Sequence, residues 1–155
     1  MHRWLLLGCV ALLVGCGGKA HTNPATHASN PAAARVQRMK TVVHEWSTRL
    51  NAGNNAALAQ LFRVPVLMTQ GSYVFRLVNK SQVARWHASL PCSGHVVSIT
   101  VKGRIATAVF RLGDRATSKC DAPGTLAAAR FTIVGGKIIA WQQVPVPPQQ
   151  AAPVA

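Results

Sequence analysis

Apolar residues recur at three- and four-residue spacing in three stretches of the chain, which predicts three helices with one buried face each. The first stretch runs over residues 36–50, and a shorter one follows it over 57–62. A third begins after Asn79, where Gln82 three positions on completes a capping box, and it ends at Pro91. The stripes are Val36, Met39, Val43, Trp46 and Leu50, then Ala57, Leu58, Leu61 and Phe62, then Val83, Trp86, His87 and Leu90.

Alternating and glycine-bounded segments predict strands around the third helix. Two short strands, 64–70 and 73–78, flank Gly71-Ser72. Two long hairpins follow over 95–112 and 125–144, each with the glycine that a tight turn needs. Because helices and parallel strands do not alternate, the pattern predicts the α+β class, with a curved antiparallel sheet around about three helices.

The pleat sorts the strand residues into two faces. One face is almost entirely apolar, should lie under the helices, and carries alanines that leave room for a cavity. The other is mixed, and there we expect Arg130 opposite Trp141, a pairing suited to a cation–π contact or an interface. The inward face is predicted to hold Val97, Ile99, Val101, Ala106, Ala108, Phe110, Ala129, Phe131, Ile133, Ile138, Ala140 and Gln142.

The helix pair, the ARFTIVGGKIIAWQQV hairpin and the order of elements resemble the nuclear-transport-factor-2-like superfamily. This superfamily includes SnoaL-like polyketide cyclases and ketosteroid isomerases, and the resemblance covers roughly residues 36–145. It implies a cone, in which a bent sheet wraps around helices and leaves a pocket at the wide end. It also implies a possible homodimer through the outer sheet face.

Catalysis in such a cone requires a titratable group in a desolvated site. The three acids, Glu45, Asp114 and Asp121, are expected away from the pocket: Glu45 lies off the helical stripe and the other two lie in the loop between the hairpins. We therefore predict a protein that is not an enzyme and needs no cofactor or metal. The alternative is a SnoaL-like cyclase or isomerase that uses His87 or His95.

Two non-catalytic functions remain open. A hollow cone would bind a small apolar or amphipathic ligand, whereas a filled cone would dock an envelope protein through Arg130 and Trp141. Histidines at such positions are usually core or rim residues, and a metal site would require His44, His87 and His95 to converge. The residues predicted to line the pocket are Trp46, Trp86, His87, His95, Phe110, Phe131 and Gln142.

The first sixteen residues, MHRWLLLGCVALLVGC, have a short basic start and an apolar run too short to span a bilayer. The ending Leu-Val-Gly-Cys resembles a bacterial lipobox, which implies that residues 1–15 are a signal peptide and that Cys16 carries the lipid. A non-lipidated signal is the alternative. Residues 16–35 are predicted to form a flexible tether, 36–145 the domain, and 146–155 a Pro-rich tail. We expect the domain on the extracytoplasmic face of the cell membrane, anchored by acyl chains such as palmitate.

Cys92 and Cys120 remain once Cys9 is assigned to the signal peptide and Cys16 to the lipid. They flank the first long hairpin, and an exported protein meets oxidising conditions, so we predict a disulfide between them, with two free thiols as the alternative.

The chain carries 17 Lys and Arg against 3 Asp and Glu, for a formal charge of +14. This charge favours anionic partners. The basic residues are scattered without aromatic platforms, so we expect attraction to envelope surfaces and no nucleic-acid partner.

Overall fold

The computed structural model of the protein describes residues 30–148, in which three helices pack against one six-stranded sheet. The helices are α1 (Pro31–Asn51), α2 (Asn55–Ala59) and α3 (Lys80–Ala88). The strands are β1 (Phe62–Gln70), β2 (Tyr73–Leu77), β3 (Ser93–Lys102), β4 (Ile105–Gly113), β5 (Leu126–Val134) and β6 (Lys137–Val144). The predicted signal peptide, Cys16 and most of the predicted tail lie outside the described residues.

Helix α1 begins five residues before the predicted domain boundary at residue 36. Its N-cap is Asn30, whose side chain accepts a hydrogen bond from the backbone N–H of Ala32, and Pro31 occupies the first turn. Proline at this position and the alanines after it favour helix initiation. The segment 31–35, which composition alone assigned to the tether, is therefore helical.

The sheet has the strand order β2-β1-β6-β5-β4-β3, and it is curved and open. The α+β class and the cone-like fold are confirmed. All neighbouring strands are antiparallel except β1 and β6, which are parallel. The prediction of a wholly antiparallel sheet is wrong for this pair, because β6 enters beside β1 after the chain has passed through α3 and the first long hairpin.

A β-bulge in β6 reverses the facing of the residues that follow it. Ile138 pairs with Ile133, but Ala140 pairs with Thr132, so Ile139 is the extra residue. One inserted residue moves every later side chain to the opposite face. Trp141 therefore pairs with Phe131 and is only 6 % exposed. The predictions that Trp141 faces outward and Gln142 inward are both wrong.

The outer face at this point carries Arg130 and Gln142, which pair across β5 and β6 and are both exposed. A second irregularity in β3, between Val96 and Ser98, leaves Val97 46 % exposed, although alternation placed it inside. The predicted Arg130–Trp141 contact surface is absent because the two side chains lie on opposite faces.

The core is built around Trp46 of α1. Its ring lies 5.1 Å from Phe131, 5.4 Å from Phe110 and 6.4 Å from Trp141, measured between ring centroids. These tilted, edge-on and stacked aromatic contacts add to the burial energy. This cluster fixes the C-terminal half of α1 against the middle of the sheet.

A buried arginine holds the helices together at the same end of the fold. Arg115 is 6 % exposed, and its guanidinium donates to the carbonyl oxygens of Leu50, His87 and Leu90 at 3.1, 2.9 and 2.5 Å. It also donates to Asn55 Oδ1 at 3.0 Å. A cation is favourable at helix C-termini, where carbonyl groups lack intrahelical partners. Arg115 therefore caps α1 and the turn that ends α3 together.

Among residues 30–148, no helix combines the length and the apolar character needed to cross a bilayer.

Candidate functional site

A pocket of about 270 Å³ opens between the C-terminal half of α1 and the sheet. It lies at the end of the sheet where β4 and β6 finish and β3 and β5 begin. Its volume lies just under the range usual for ligand pockets, which suits a small guest. The lining residues are Trp46, Leu50, Gln70, Leu90, Pro91, Cys92, Ser93, Gly94, Phe110, Leu112, Asp121, Ala127, Ala128, Ala129, Trp141 and Gln143.

The walls of the pocket are mainly apolar. Trp46, Phe110 and Trp141 supply aromatic surface, and Ala127–Ala129 of β5 supply only methyl groups. Because three consecutive small residues face or border the same space, the sheet leaves a hollow where larger side chains would fill it. Of the inward-facing alanines expected to leave room for a cavity, Ala129 lines the pocket, whereas Ala106, Ala108 and Ala140 do not.

Helix α1 also fixes the start of β3 in the pocket wall. Asn51 Oδ1 accepts a hydrogen bond from the Gly94 N–H at 2.9 Å, and the Ser47 hydroxyl donates to the Gly94 carbonyl. A Cβ atom at Gly94 would lie 3.2 Å from the Phe110 ring, tighter than most real contacts. Glycine at this position therefore lets the strand approach Phe110 closely.

The polar groups of the pocket carry no positive charge. Gln70, Asp121 and Gln143 contribute side-chain oxygens, and no Lys, Arg or His is among the described residues that line it. This is notable in a chain of formal charge +14. The expectation that no acid faces the pocket is wrong, because the loop after β4 folds back and brings Asp121 to its wall.

The predicted disulfide is present, with the Sγ atoms of Cys92 and Cys120 2.07 Å apart. It ties the loop between β4 and β5 to the segment that precedes β3. Asp121 Oδ1 lies 3.1 Å from Cys92 Sγ as a result. The two sulfur atoms and the Asp121 carboxylate lie within 4.8 Å of one another, but sulfurs joined in a disulfide offer no thiolate to a metal.

His87 is fully buried and is not part of the pocket wall. Its Nδ1 lies 2.8 Å from the Val83 carbonyl, and its Nε2 accepts a hydrogen bond from Trp46 Nε1 at 3.0 Å. These partners define the neutral form with the proton on Nδ1. Burial lowers the pKa of His87 to about 4, and the positive charge of Arg115 acts in the same direction.

The remaining predicted pocket residues are distributed over the fold. Phe131 is buried behind Trp46, and Trp86 packs edge-on against Trp141 with ring centroids 5.0 Å apart. His95 is exposed on β3, and His44 is exposed on α1. Of the seven residues predicted to line the pocket, the structure brings Trp46 and Phe110 to its wall, and it places Trp86, His87, His95, Phe131 and Gln142 elsewhere.

Two polar atoms in residues of the pocket wall have no hydrogen-bond partner among the described residues. They are Trp141 Nε1 and Ser93 Oγ. An unsatisfied buried donor is unfavourable, so such groups in a native fold call for an explanation. Both belong to residues that line the pocket.

Sequence reasoning missed Gln70, Asp121 and Gln143 as pocket residues. Gln143 would follow from the alternation if the bulge at Ile139 were known, since it pairs with Ala129 on the inner face. Asp121 is adjacent to Cys120, so the predicted disulfide was the available signal for its position. Nothing in the local sequence indicates Gln70.

No family model matches the chain, and no curated protein matches it. Solved structures do. A putative polyketide cyclase from Sinorhizobium meliloti is 17% identical with a TM-score of 0.57, and the match covers 70% of this chain and 99% of that one. A protein of unknown function from Cytophaga hutchinsonii, described as nuclear-transport-factor-2-like, is 10% identical with a TM-score of 0.55, over 68% of this chain and 87% of that one.

A third structure is a hypothetical protein from Catenulispora acidiphila with a ketosteroid isomerase-like fold, in complex with trimethylamine. It is 16% identical with a TM-score of 0.51, and the match covers 67% of this chain and 84% of that one. At these identities the likeness concerns the fold. With the six-stranded curved sheet and its helices, it identifies the described domain as one with the nuclear-transport-factor-2-like fold.

Proposed function

We propose that this protein is a membrane-anchored extracytoplasmic lipoprotein whose cone binds a small amphipathic molecule without transforming it. The observation that carries the binding proposal is the 270 Å³ pocket, which has aromatic and alanine walls and a few polar groups. That combination of an apolar cavity with a few orienting polar groups is typical of ligand sites. Anchoring rests on the lipobox-like sequence that ends at Cys16.

The chemistry of the wall indicates the class of ligand. The side-chain amides of Gln70 and Gln143 line the pocket, and each can donate a hydrogen bond to an oxygen on the ligand. Asp121 is the only charged residue among those that line the pocket, so it disfavours an anion there and favours a neutral or cationic head. Aromatic faces such as Trp46 also attract organic cations. We infer a ligand with an apolar body, an acceptor oxygen and a neutral or cationic end.

The state of the histidines supports a role without catalysis. A general base must reach the substrate and exchange protons near the working pH. His87 has both ring nitrogens engaged, is shut off from the pocket and has its pKa lowered to about 4. His95 is exposed and is not among the pocket residues. The cyclase or isomerase alternative based on a pocket histidine therefore lacks its base.

Native mass spectrometry of the protein purified from its own membranes tests the proposal. We expect Cys16 acylation and one small molecule bound per chain. Ala127→Leu puts a larger side chain into the pocket and should abolish the bound species. Ala56→Leu is the matched control, because Ala56 is exposed on α2 and the change should leave binding intact. An unlipidated chain would contradict the anchoring, and equal occupancy in both variants would contradict the pocket assignment.

A further inference from the structure

A second cleft lies at the opposite end of α1 from the ligand pocket. It has a volume of about 520 Å³ and is bounded by the N-terminal half of α1 and the turns that join β3 to β4 and β5 to β6. Arg35 is eleven residues before Trp46, which is roughly 16 Å along a helix. The lining residues are Arg35, Arg38, Met39, Arg104, Ile133, Val134, Gly135 and Gly136.

The cleft gathers positive charge that nothing in the described chain neutralises. Arg35, Arg38 and Arg104 line it, and no acidic residue does. The acids of residues 30–148 are occupied elsewhere: Glu45 pairs with Arg49, Asp114 pairs with Lys119, and Asp121 lies at the other pocket.

The N-terminus of α1 adds to this field. The first turn of the helix contains no acidic residue, although the helix dipole favours negative charge there. Arg35 and Arg38 follow in the next two turns with exposed side chains, so the charge at this end of the helix is positive. The positive charge at this end of α1 therefore favours the binding of an anion in the cleft.

We propose that this cleft binds the phosphate groups of anionic phospholipid headgroups and so orients the domain on the membrane. Guanidinium groups bind phosphate oxygens in a two-pronged geometry. Gly135 and Gly136 line the cleft without side chains that would block a headgroup. The buried Met39 and Ile133 give it an apolar floor, which suits the glycerol part of a lipid better than a free phosphate ion.

The position of the cleft relative to the proposed anchor argues for a lipid, and this step rests on the proposed function. Thirteen residues separate Cys16 from Asn30. Even fully extended, a segment of that length reaches at most about 50 Å. The N-terminal end of α1 is thus the end that the tether holds near the bilayer, and the three arginines lie at that end.

Vesicle binding by a non-lipidated chain tests the cleft separately from the anchor. The chain from Gly17 to Ala155 retains every described element and lacks both the apolar run and Cys16. Its binding to phosphatidylglycerol vesicles is compared with binding to phosphatidylcholine vesicles. The triple variant Arg35→Gln, Arg38→Gln, Arg104→Gln is compared with Arg63→Gln, Arg76→Gln, Arg85→Gln. The control removes the same charge from exposed side chains outside the cleft.

We expect binding to phosphatidylglycerol only, an affinity loss of about 100-fold in the cleft variant, and a loss under about fivefold in the control. Equal losses in the two variants would overturn the proposal, because the attraction would then be spread over the surface. Inorganic phosphate that competes at the same phosphate concentration would also overturn it, because the site would then bind a soluble anion. Either result leaves the acylation of Cys16 and the occupancy of the ligand pocket untouched, since those have their own readouts.

Discussion

Trp46 Nε1 donates a hydrogen bond to His87 Nε2 at 3.0 Å, in the interior of the protein. Because the other ring nitrogen faces the Val83 carbonyl at 2.8 Å, the imidazole is held neutral by two partners. The pair joins α1 to α3 directly behind the ligand pocket. A residue that looked like a catalytic candidate in the sequence is thus an internal structural link.

This burial makes the protein sensitive to acid. In the unfolded chain His87 is protonated near its ordinary pKa of 6.5, whereas burial in the folded chain lowers this pKa to about 4. The stability that the neutral ring contributes is therefore fully present above pH 6.5. As the pH falls toward 4, the free energy of unfolding decreases by on the order of 3 kcal/mol. Urea unfolding between pH 7 and 4 measures this loss.

His87→Gln removes the titrating group while keeping a polar side chain near Trp46, and it should flatten that part of the pH profile. His95→Gln is the control, since it makes the same replacement at an exposed histidine. Direct titration by NMR provides a readout that does not depend on the variant folding. A midpoint for His87 near 6.5 would contradict the account.

Arg115 should be among the most sensitive positions in the chain. Arg115→Met leaves the carbonyl groups of Leu50, His87 and Leu90 without their charged donor. Each bond to a charged group contributes on the order of 1.5–3 kcal/mol, so we expect a loss of at least about 3 kcal/mol in the free energy of unfolding. Arg111→Met is the matched control, because among residues 30–148 its exposed guanidinium makes one bond, to the Gly124 carbonyl. Equal losses in the two variants would argue against the capping role.

The disulfide should stabilise the domain and hold Asp121 at the pocket. It joins residues 28 apart in the sequence. Closing a loop of that length contributes about 3–4 kcal/mol on the chain-entropy model. The double variant Cys92→Ala, Cys120→Ala should unfold at correspondingly lower denaturant and should bind ligand more weakly. Wild-type protein treated with a reductant should behave the same way, and an unchanged midpoint in both would contradict the prediction.

The bulge in β6 predicts different roles for the neighbouring residues Gln142 and Gln143. Gln143 lines the pocket, whereas Gln142 pairs with Arg130 on the outer face. Gln143→Leu should alter ligand affinity, by roughly tenfold if one hydrogen bond is lost, and Gln142→Leu should not. Isothermal titration calorimetry of both variants with tyramine, a small cationic amphiphile, measures these affinities. The reverse result would mean that β6 continues without a bulge.

Much of the fold could be predicted from the sequence because the signals that specify it are local. The stripe from Met39 to Leu50, the Asn79 cap and the Gly135–Gly136 turn each act within a few residues, and each lies where it was predicted. The bulge at Ile139 has no such signal, since it lies in a continuous apolar run. Its effect on the site was large, because one extra residue exchanged Trp141 and Gln142 between the faces.

Long-range contacts account for the other differences. Arg115 is an isolated basic residue in a loop, and its role depends on two helix ends that meet it only in the folded chain. Asp121 reaches the pocket through the fold-back of its loop onto Cys92. Composition suggested a tether up to residue 35, but the Asn30 cap and Pro31 start α1 earlier.

The most direct test of the account is an NMR titration of the ¹⁵N-labelled chain from Gly17 onward with two matched probes. Tyramine has an aromatic body, a phenol oxygen and an ammonium group, whereas 4-hydroxyphenylacetate replaces the ammonium with a carboxylate. We predict that tyramine shifts the Trp141 indole N–H and the amides of Ala127–Ala129, and that 4-hydroxyphenylacetate binds at least tenfold more weakly. Tighter binding of the carboxylate, or no shift at Trp141 with either probe, would contradict the central claim that this pocket holds a small neutral or cationic amphiphile.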